Sequence, residues 1–217
     1  MKGDIIVFEE HHKKVAEVIV PKIMKKIKNK VARYIITVAG ESGSGKSETG
    51  KAIADELQKH GIKAVLLGQD DYFYLPPKSN DAKRKEDPEW LGPHKEVNFE
   101  ALENNLKDAI SGKVEIIKPL IDYNENSVED QVVNLYGVKV VIAEGTYTSL
   151  LKHVDTRVFI ARSRLDTLEH RKKRNRGNEV NDSFVENILE VEHKIIAGHK
   201  QLADFVITKE YEVIIVE

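Results

Sequence analysis

The chain has 217 residues, enough for one sizeable α/β domain and short for two. Lys plus Arg total 34 against 36 for Asp plus Glu, a formal net charge of −2, so bulk charge gives no signal for a nucleic-acid partner. Cysteine is absent, which excludes disulfides and thiolate chemistry; with neither a signal peptide nor an apolar run long enough for a membrane, the expected setting is cytoplasmic.

Residues 4–8, DIIVF, predict a short strand. Val15, Val18, Ile19, Ile23 and Ile27 then recur at helical spacing through a Lys-rich segment ending near Lys30. Pro21 inside it calls for a kink or for two short helices that meet there. Such a helix packs one face on the domain and leaves its lysines in solvent, although a basic amphipathic helix can also meet a partner or a membrane surface. Residues 1–32 are thus expected as an N-terminal strand and helix extension of a core over 33–217, one domain in all.

The run Ile35, Ile36, Thr37, Val38 leads into GESGSGKS, residues 40–47, which fits G-x-x-x-x-G-K-[ST] at every fixed position. Gly40, Gly43 and Gly45 let the backbone bring its amides close to a polyphosphate, and the helix that follows adds its positive dipole end. Glu41, Ser42 and Ser44 fill out the loop and Glu48 the first helical turn; Lys46 can reach the terminal phosphates and the Ser47 hydroxyl can ligate Mg²⁺. The helix carries Ala52, Ile53 and Leu57 on one face, so the motif has the strand-before, helix-after context it requires. His60-Gly61 closes that helix, and residues 63–68, KAVLLG, form a second apolar strand. Strand, helix, strand at this spacing is a right-handed unit of a parallel sheet, whose ligands bind beyond the carboxyl ends of the strands.

QDDYFYLPP, residues 69–77, therefore falls beside the phosphate loop and opens a polar excursion, without regular structure, that runs to about residue 97 and includes Trp90. A helix over 98–111 follows, with Phe99, Leu102, Leu106 and Ile110 in register, and Gly112 ends it. Strands at 114–117 and 131–135 flank the polar turn 122–130, a hairpin leaning over the site. Residues 138–143, VKVVIA, make a buried strand that ends in Glu144-Gly145. A strand at 155–161, a helix at 164–176 ending in HRKKRNRG, and a helix at 181–199 with Phe184, Ile188, Val191, Ile195 and Ile196 come next. Strands at 205–208 and 213–216 close the chain, the last as an edge.

A hydroxyl attacking a γ-phosphoryl group gains from a base that accepts its proton and aligns it, and Asp70, at the end of the strand after the phosphate-loop helix, is suitably placed, with Asp71 as its competitor. Glu144 could hold Mg²⁺ directly, hold it through water, or orient the substrate. The cluster Arg171, Lys172, Lys173, Arg174 and Arg176 would serve as a lid neutralising charge on the transferred group, as a solvated helix end, or as a nucleic-acid patch, the last weakened by the acidic net charge. Tyr72, Phe73, Tyr74 and Trp90 could line a pocket or anchor the loop. The histidines, His11, His12, His60, His153 and His193 among them, lack metal-protease spacing and read as surface or core fillers. No N-K-x-D guanine signature is present, which favours ATP.

With these residues in view, the chain resembles the uridine kinase and phosphoribulokinase family of P-loop kinases. GESGSGKSE is similar to the family's phosphate loop, and QDDYFY to its Q-D-S-F-Y segment, whose first Asp, the catalytic base, matches Asp70. AEGTY at 143–147 resembles the strand-end E-G-I segment, HRKKRNRG the Arg-rich lid, and ADFVI at 203–207 the late Y-A-D-I-I strand. PLIDYNENSV, residues 119–128, keeps Pro, Asp122 and the aromatic Tyr123 of the family's nucleoside-contacting P-x-Y-D-F-x-x-H-x-R stretch but neither its His nor its Arg, and NFEAL at 98–102 replaces N-F-D-H-P.

The resemblance implies a P-loop NTPase fold with a mainly parallel sheet, helices on both faces and an Arg-rich lid. It implies an ATP- and Mg²⁺-dependent kinase acting on a nucleoside- or sugar-like hydroxyl, with Tyr72, Trp90, Asp122, Tyr123, Glu144 and Asp70 around the substrate. The competing reading is a nucleotide-dependent regulatory protein with slow hydrolysis. ATP and a small substrate are the expected partners, with no nucleic acid and no membrane; the N-terminal extension and final strand are candidate contacts of a homo-oligomer.

Overall fold

A computed structural model describes residues 1–3, 6–174 and 182–216. Helix α1 (Glu10–Asn29) starts on a capping box formed by Glu9 and His12. It runs unbroken through Pro21, which faces solvent, as does Glu17, whose carbonyl loses the Pro21 N–H as donor, so water can serve in its place. Val15, Ile19, Val20, Ile23 and Ile27 form its buried stripe, while its lysines are mostly exposed. The expected strand at 4–8 is not there in its described part: residues 6–8 are irregular, and just before them Lys2 makes an isolated bridge to Asp122.

Strands β1 (Tyr34–Gly40), β2 (Ala64–Gly68), β5 (Val140–Glu144), β6 (Thr156–Ile160), β7 (Phe205–Ile207) and β8 (Val213–Ile215) form one sheet in the order β2-β5-β1-β6-β7-β8 among the described residues. All pairings are parallel except β7 with β8, so the final strand is an antiparallel edge. Every residue of β1 is buried, as a central parallel strand covered on both faces requires. On one face α1 and α2 (Lys46–Lys59) pack around Ile36, Val38 and Ile142. On the other, α4 (Phe99–Ile110), the hairpin β3 (Glu115–Asp122) with β4 (Ser127–Asn134), and α6 (Ser183–Ile196) pack around Ile35, Val141 and Phe159.

The stretch between β2 and α4 corrects the expectation of an irregular excursion. It holds helix α3 (Pro77–Glu86), opened by a proline at its first turn, and short 3-10 turns at Gln69–Tyr72 and Pro88–Trp90. The hairpin strands extend further than expected, pairing Glu115 with Asn134 through Asp122 with Ser127, and its turn shrinks to residues 123–126. Residues 164–167 precede rather than begin helix α5 (Leu168–Arg174).

Candidate active site

The phosphate loop sits at the carboxyl end of β1, and the chemistry gathers there because β5 and β2 end at the same level: Val38, Glu144 and Gly68 lie opposite one another in the register. Gly45 takes φ +93 as the N-cap of α2, a left-handed conformation that costs glycine nothing and turns the first amides of the helix toward the loop. Gly43 takes φ +74, and a Cβ there would meet Arg171 Cγ at 2.6 Å, so the loop and α5 are in direct contact. Lys46 Nζ donates to the Glu41 carbonyl at 3.0 Å across the loop.

Glu41 ties the loop to its surroundings: its carboxylate accepts from the Arg164 amide at 2.5 Å and lies 2.6 Å from His193 Nδ1. His193 thus braces the loop rather than filling space. Ser44 is fully buried, and Gly40 packs against Ser44 Oγ and the Ile160 carbonyl. Glu48, in the first helical turn, is buried, and its carboxylate accepts from the Val7 amide at 3.1 Å.

Two carboxylates face the loop. Glu144, at the end of β5, is partly exposed; burial, then the nearby Asp70 charge, push its carboxyl up to about 7 against the pull of Lys46 and the Ser47 hydroxyl. Asp70, in the turn after β2, lines a cavity of about 370 Å³ that also reaches Ser42. The geometry separates Asp70 from its neighbour: Asp71 is buried, accepts from Lys118 Nζ at 2.6 Å and from the Ile121 amide at 3.1 Å, and so anchors β3.

The same turn rotates Tyr72 inward. It is fully buried and its hydroxyl donates to Asn105 at 2.8 Å, which removes it from the substrate set. Trp90 is likewise a brace, its indole donating to Asn80 Oδ1 at 2.7 Å, and it does not line the cavity. Asp122 closes the hairpin turn, accepting from the Asn124 and Glu125 amides and pairing with Lys2 at 2.8 Å. Tyr123 and Phe73 do line the cavity. Arg171 is buried beneath Gly43 and pairs with Glu186 at 3.2 Å. Arg176 and the side chain of Arg174 lie outside the described residues.

Residues that sequence reasoning missed complete the cavity. Arg84 on α3 reaches buried Glu96 at 2.8 Å and Asp81 at 3.3 Å, and Asn80, one turn earlier, donates to Glu96 at 3.1 Å. From α6 come Phe184, Ile188, Leu189 and Glu192. Burial pushes the Glu192 carboxyl up to about 7, and its Oε2 has no hydrogen-bond partner among the described residues. Its one sequence signal is a carboxylate in a buried helical stripe, between Leu189 and Ile196. Ser47, Asp70 and Glu144 offer hard oxygen donors of the kind Mg²⁺ takes when phosphates and waters complete its shell. Among the described residues no helix is long and apolar enough to cross a membrane.

A family model described as the phosphoribulokinase / uridine kinase family matches residues 35–213. The bifunctional alpha-galactosidase/sucrose kinase AgaSK of Mediterraneibacter gnavus is 28% identical over 189 residues, 82% of this chain but only 20% of that protein. The uridine kinase of Ligilactobacillus salivarius (strain UCC118) is 26% identical over 183 residues, 80% of this chain and 84% of that one. In fold, the chain is similar to a D-glycerate 3-kinase from Cryptococcus neoformans var. grubii, with a TM-score of 0.62 at 14% identity, over 96% of this chain and 99% of that one.

Proposed function

We propose, from the premise that this chain belongs to the phosphoribulokinase / uridine kinase family, that it transfers the γ-phosphoryl group of ATP to a hydroxyl of a small sugar- or nucleoside-like metabolite. The observation that carries this reading is that Asp70 lines the same cavity as Ser42 of the phosphate loop, while Asp71 is consumed by Lys118 and Ile121. An acceptor in that cavity would lie between the base and the phosphates.

In this reading the loop amides and Lys46 hold the β- and γ-phosphates, and Asp70 accepts the proton of the attacking hydroxyl and aligns it. Ser47, with Glu144 or Asp70, would hold Mg²⁺, which when bound neutralises charge on the phosphates. Arg171, already packed against Gly43, would stand near the transferred group, with Arg174 and Arg176 proposed to close over it. Phosphoryl transfer of this kind is mostly positioning and charge neutralisation, which suits a preformed site.

The test is ADP release measured with and without candidate acceptors. Release should accelerate only when the right acceptor is present and should collapse in Asp70→Ala; acceptor-independent rates that are equal in the two proteins across a broad panel would refute the reading.

A further inference from the structure

We infer that the acceptor is an uncharged polyhydroxylated compound, a sugar rather than a sugar phosphate, a small carboxylic acid or a nucleoside, and that Glu192 binds its hydroxyl groups. The inference rests on the kinase reading and deepens it.

The cavity has two kinds of wall. Phe73, Tyr123, Phe184, Ile188 and Leu189 supply an apolar side suited to the C–H face of a ring. Among the described residues, the polar side offers little to an anion. Arg84, the guanidinium that faces the cavity, is already held by Glu96 at 2.8 Å and Asp81 at 3.3 Å. Lys85 stands at the rim with its ammonium 4.7 Å from the Phe184 ring centroid, and the Met1 amino group is 3.2 Å from Asp71. A phosphate or carboxylate entering here would have to compete for these cations and would meet Asp70 and Glu192.

Nor is the wall furnished to read a base. Asn80, the lining residue with a side-chain amide among the described residues, has its oxygen on Trp90 and its nitrogen on Glu96. A base edge needs paired donors and acceptors presented to it, and this amide is only 4% exposed with both of its ends already engaged.

What the wall does offer is an acceptor. Glu192 is only 6% exposed, lines the cavity, and leaves Oε2 without a hydrogen-bond partner among the described residues. A buried carboxylate oxygen left unsatisfied is costly in a folded chain, and hydroxyl groups of a neutral ligand would satisfy it without bringing in charge. Vicinal hydroxyls could use both carboxylate oxygens at once.

The experiment is the coupled ADP-release assay on wild type, Glu192→Ala and Glu192→Gln. The panel holds neutral mono- and disaccharides, sugar phosphates, nucleosides and glycerate, with singly deoxygenated analogues of the best sugar; ATP affinity is followed in parallel with a fluorescent nucleotide and folding by thermal melting. A neutral sugar should be the best acceptor. Glu192→Ala should raise its KM by about fivefold or more, the worth of a hydrogen bond lost from a buried site, with kcat and ATP affinity little changed. One deoxy analogue should be penalised with wild type and not with Glu192→Ala, and Glu192→Gln, which keeps an acceptor oxygen, should restore most of the affinity.

A sugar phosphate, glycerate or nucleoside as best acceptor would overturn this inference while leaving the kinase reading intact. A deoxy penalty that persists unchanged in Glu192→Ala would overturn the role of Glu192. Bound ATP with no Asp70-dependent response to any acceptor would sink both. Should Glu192→Ala not fold, the isosteric Glu192→Gln and the deoxy series on wild type still decide it.

Discussion

Asp70 and Asp71 are neighbours whose surroundings make opposite demands, so changing them one at a time separates chemistry from folding. The Asp71 carboxylate accepts from Lys118 at 2.6 Å and from the Ile121 amide at 3.1 Å, and the Lys118 side chain is only 5% exposed. Asp71→Ala strands that ammonium in the interior, a loss of about 3–5 kcal/mol for breaking a buried pair from one side. At about 2–4 °C per kcal/mol for a chain of this size, the melting temperature should fall by roughly 6–20 °C. Asp70 is partly exposed at the cavity wall, so Asp70→Asn should stay within about 0.5 kcal/mol of wild type. Its turnover should nevertheless fall about 10²- to 10⁴-fold, the usual worth of a positioned base. Thermal unfolding by circular dichroism and acceptor-stimulated ADP release read the two effects separately. If Asp71→Ala melted like wild type, or if Asp70→Asn lost stability while retaining turnover, the assignment of one residue to the fold and the other to the reaction would be wrong.

Two further outcomes follow from the geometry. Gly43→Ala places a Cβ at 2.6 Å from Arg171 Cγ on a residue at φ +74; it should weaken nucleotide binding by about tenfold or more, since the loop and the Arg171 stem cannot both keep their places, and an unchanged affinity in a fluorescent-nucleotide titration would contradict this. Glu192 has a folded pKa of about 7 against an ordinary 4.5, so the native state keeps its proton where the unfolded chain has lost it. This stabilisation is fully present below the unfolded value and disappears as pH rises to about 7, a span worth up to about 3 kcal/mol. Denaturant titrations across this window should show Glu192→Gln gaining on wild type as pH rises; parallel curves would refute the burial argument.

The parts of the fold legible in the sequence are those whose stability is local or repetitive. The all-apolar runs of β1 and β5 announce central strands because both faces are covered, and the stripe of α1 survives Pro21 because the missing N–H falls on the solvent side. Helix α3 was not legible. PKSNDAKRKE has almost no apolar residue to set a period, and its fixed points are Asn80 and Arg84, one turn apart, which both reach Glu96. Only the proline at its start marked it. The N-terminal strand failed for the opposite reason: an apolar run was present, but residues 6–8 find no partner strand in the sheet.

The candidate site divides along the same line. Asp70 and Glu144 are recoverable from sequence because a parallel sheet delivers the ends of β2 and β5 to the phosphate loop whatever else the chain does. Tyr72, Trp90 and Asp122 were drawn in by their nearness in sequence, whereas the turn after β2 swings Tyr72 into the core and the other two brace a loop and a hairpin. The acceptor wall is assembled from α3, the hairpin turn and α6, segments far apart in sequence that only tertiary packing joins. Its most informative member is nevertheless marked in the sequence by a violation. A carboxylate in the buried stripe of α6 opposes the burial that forms the helix, and since such a group is costly unless something satisfies it, Glu192 is where folding stability and acceptor binding compete for one side chain.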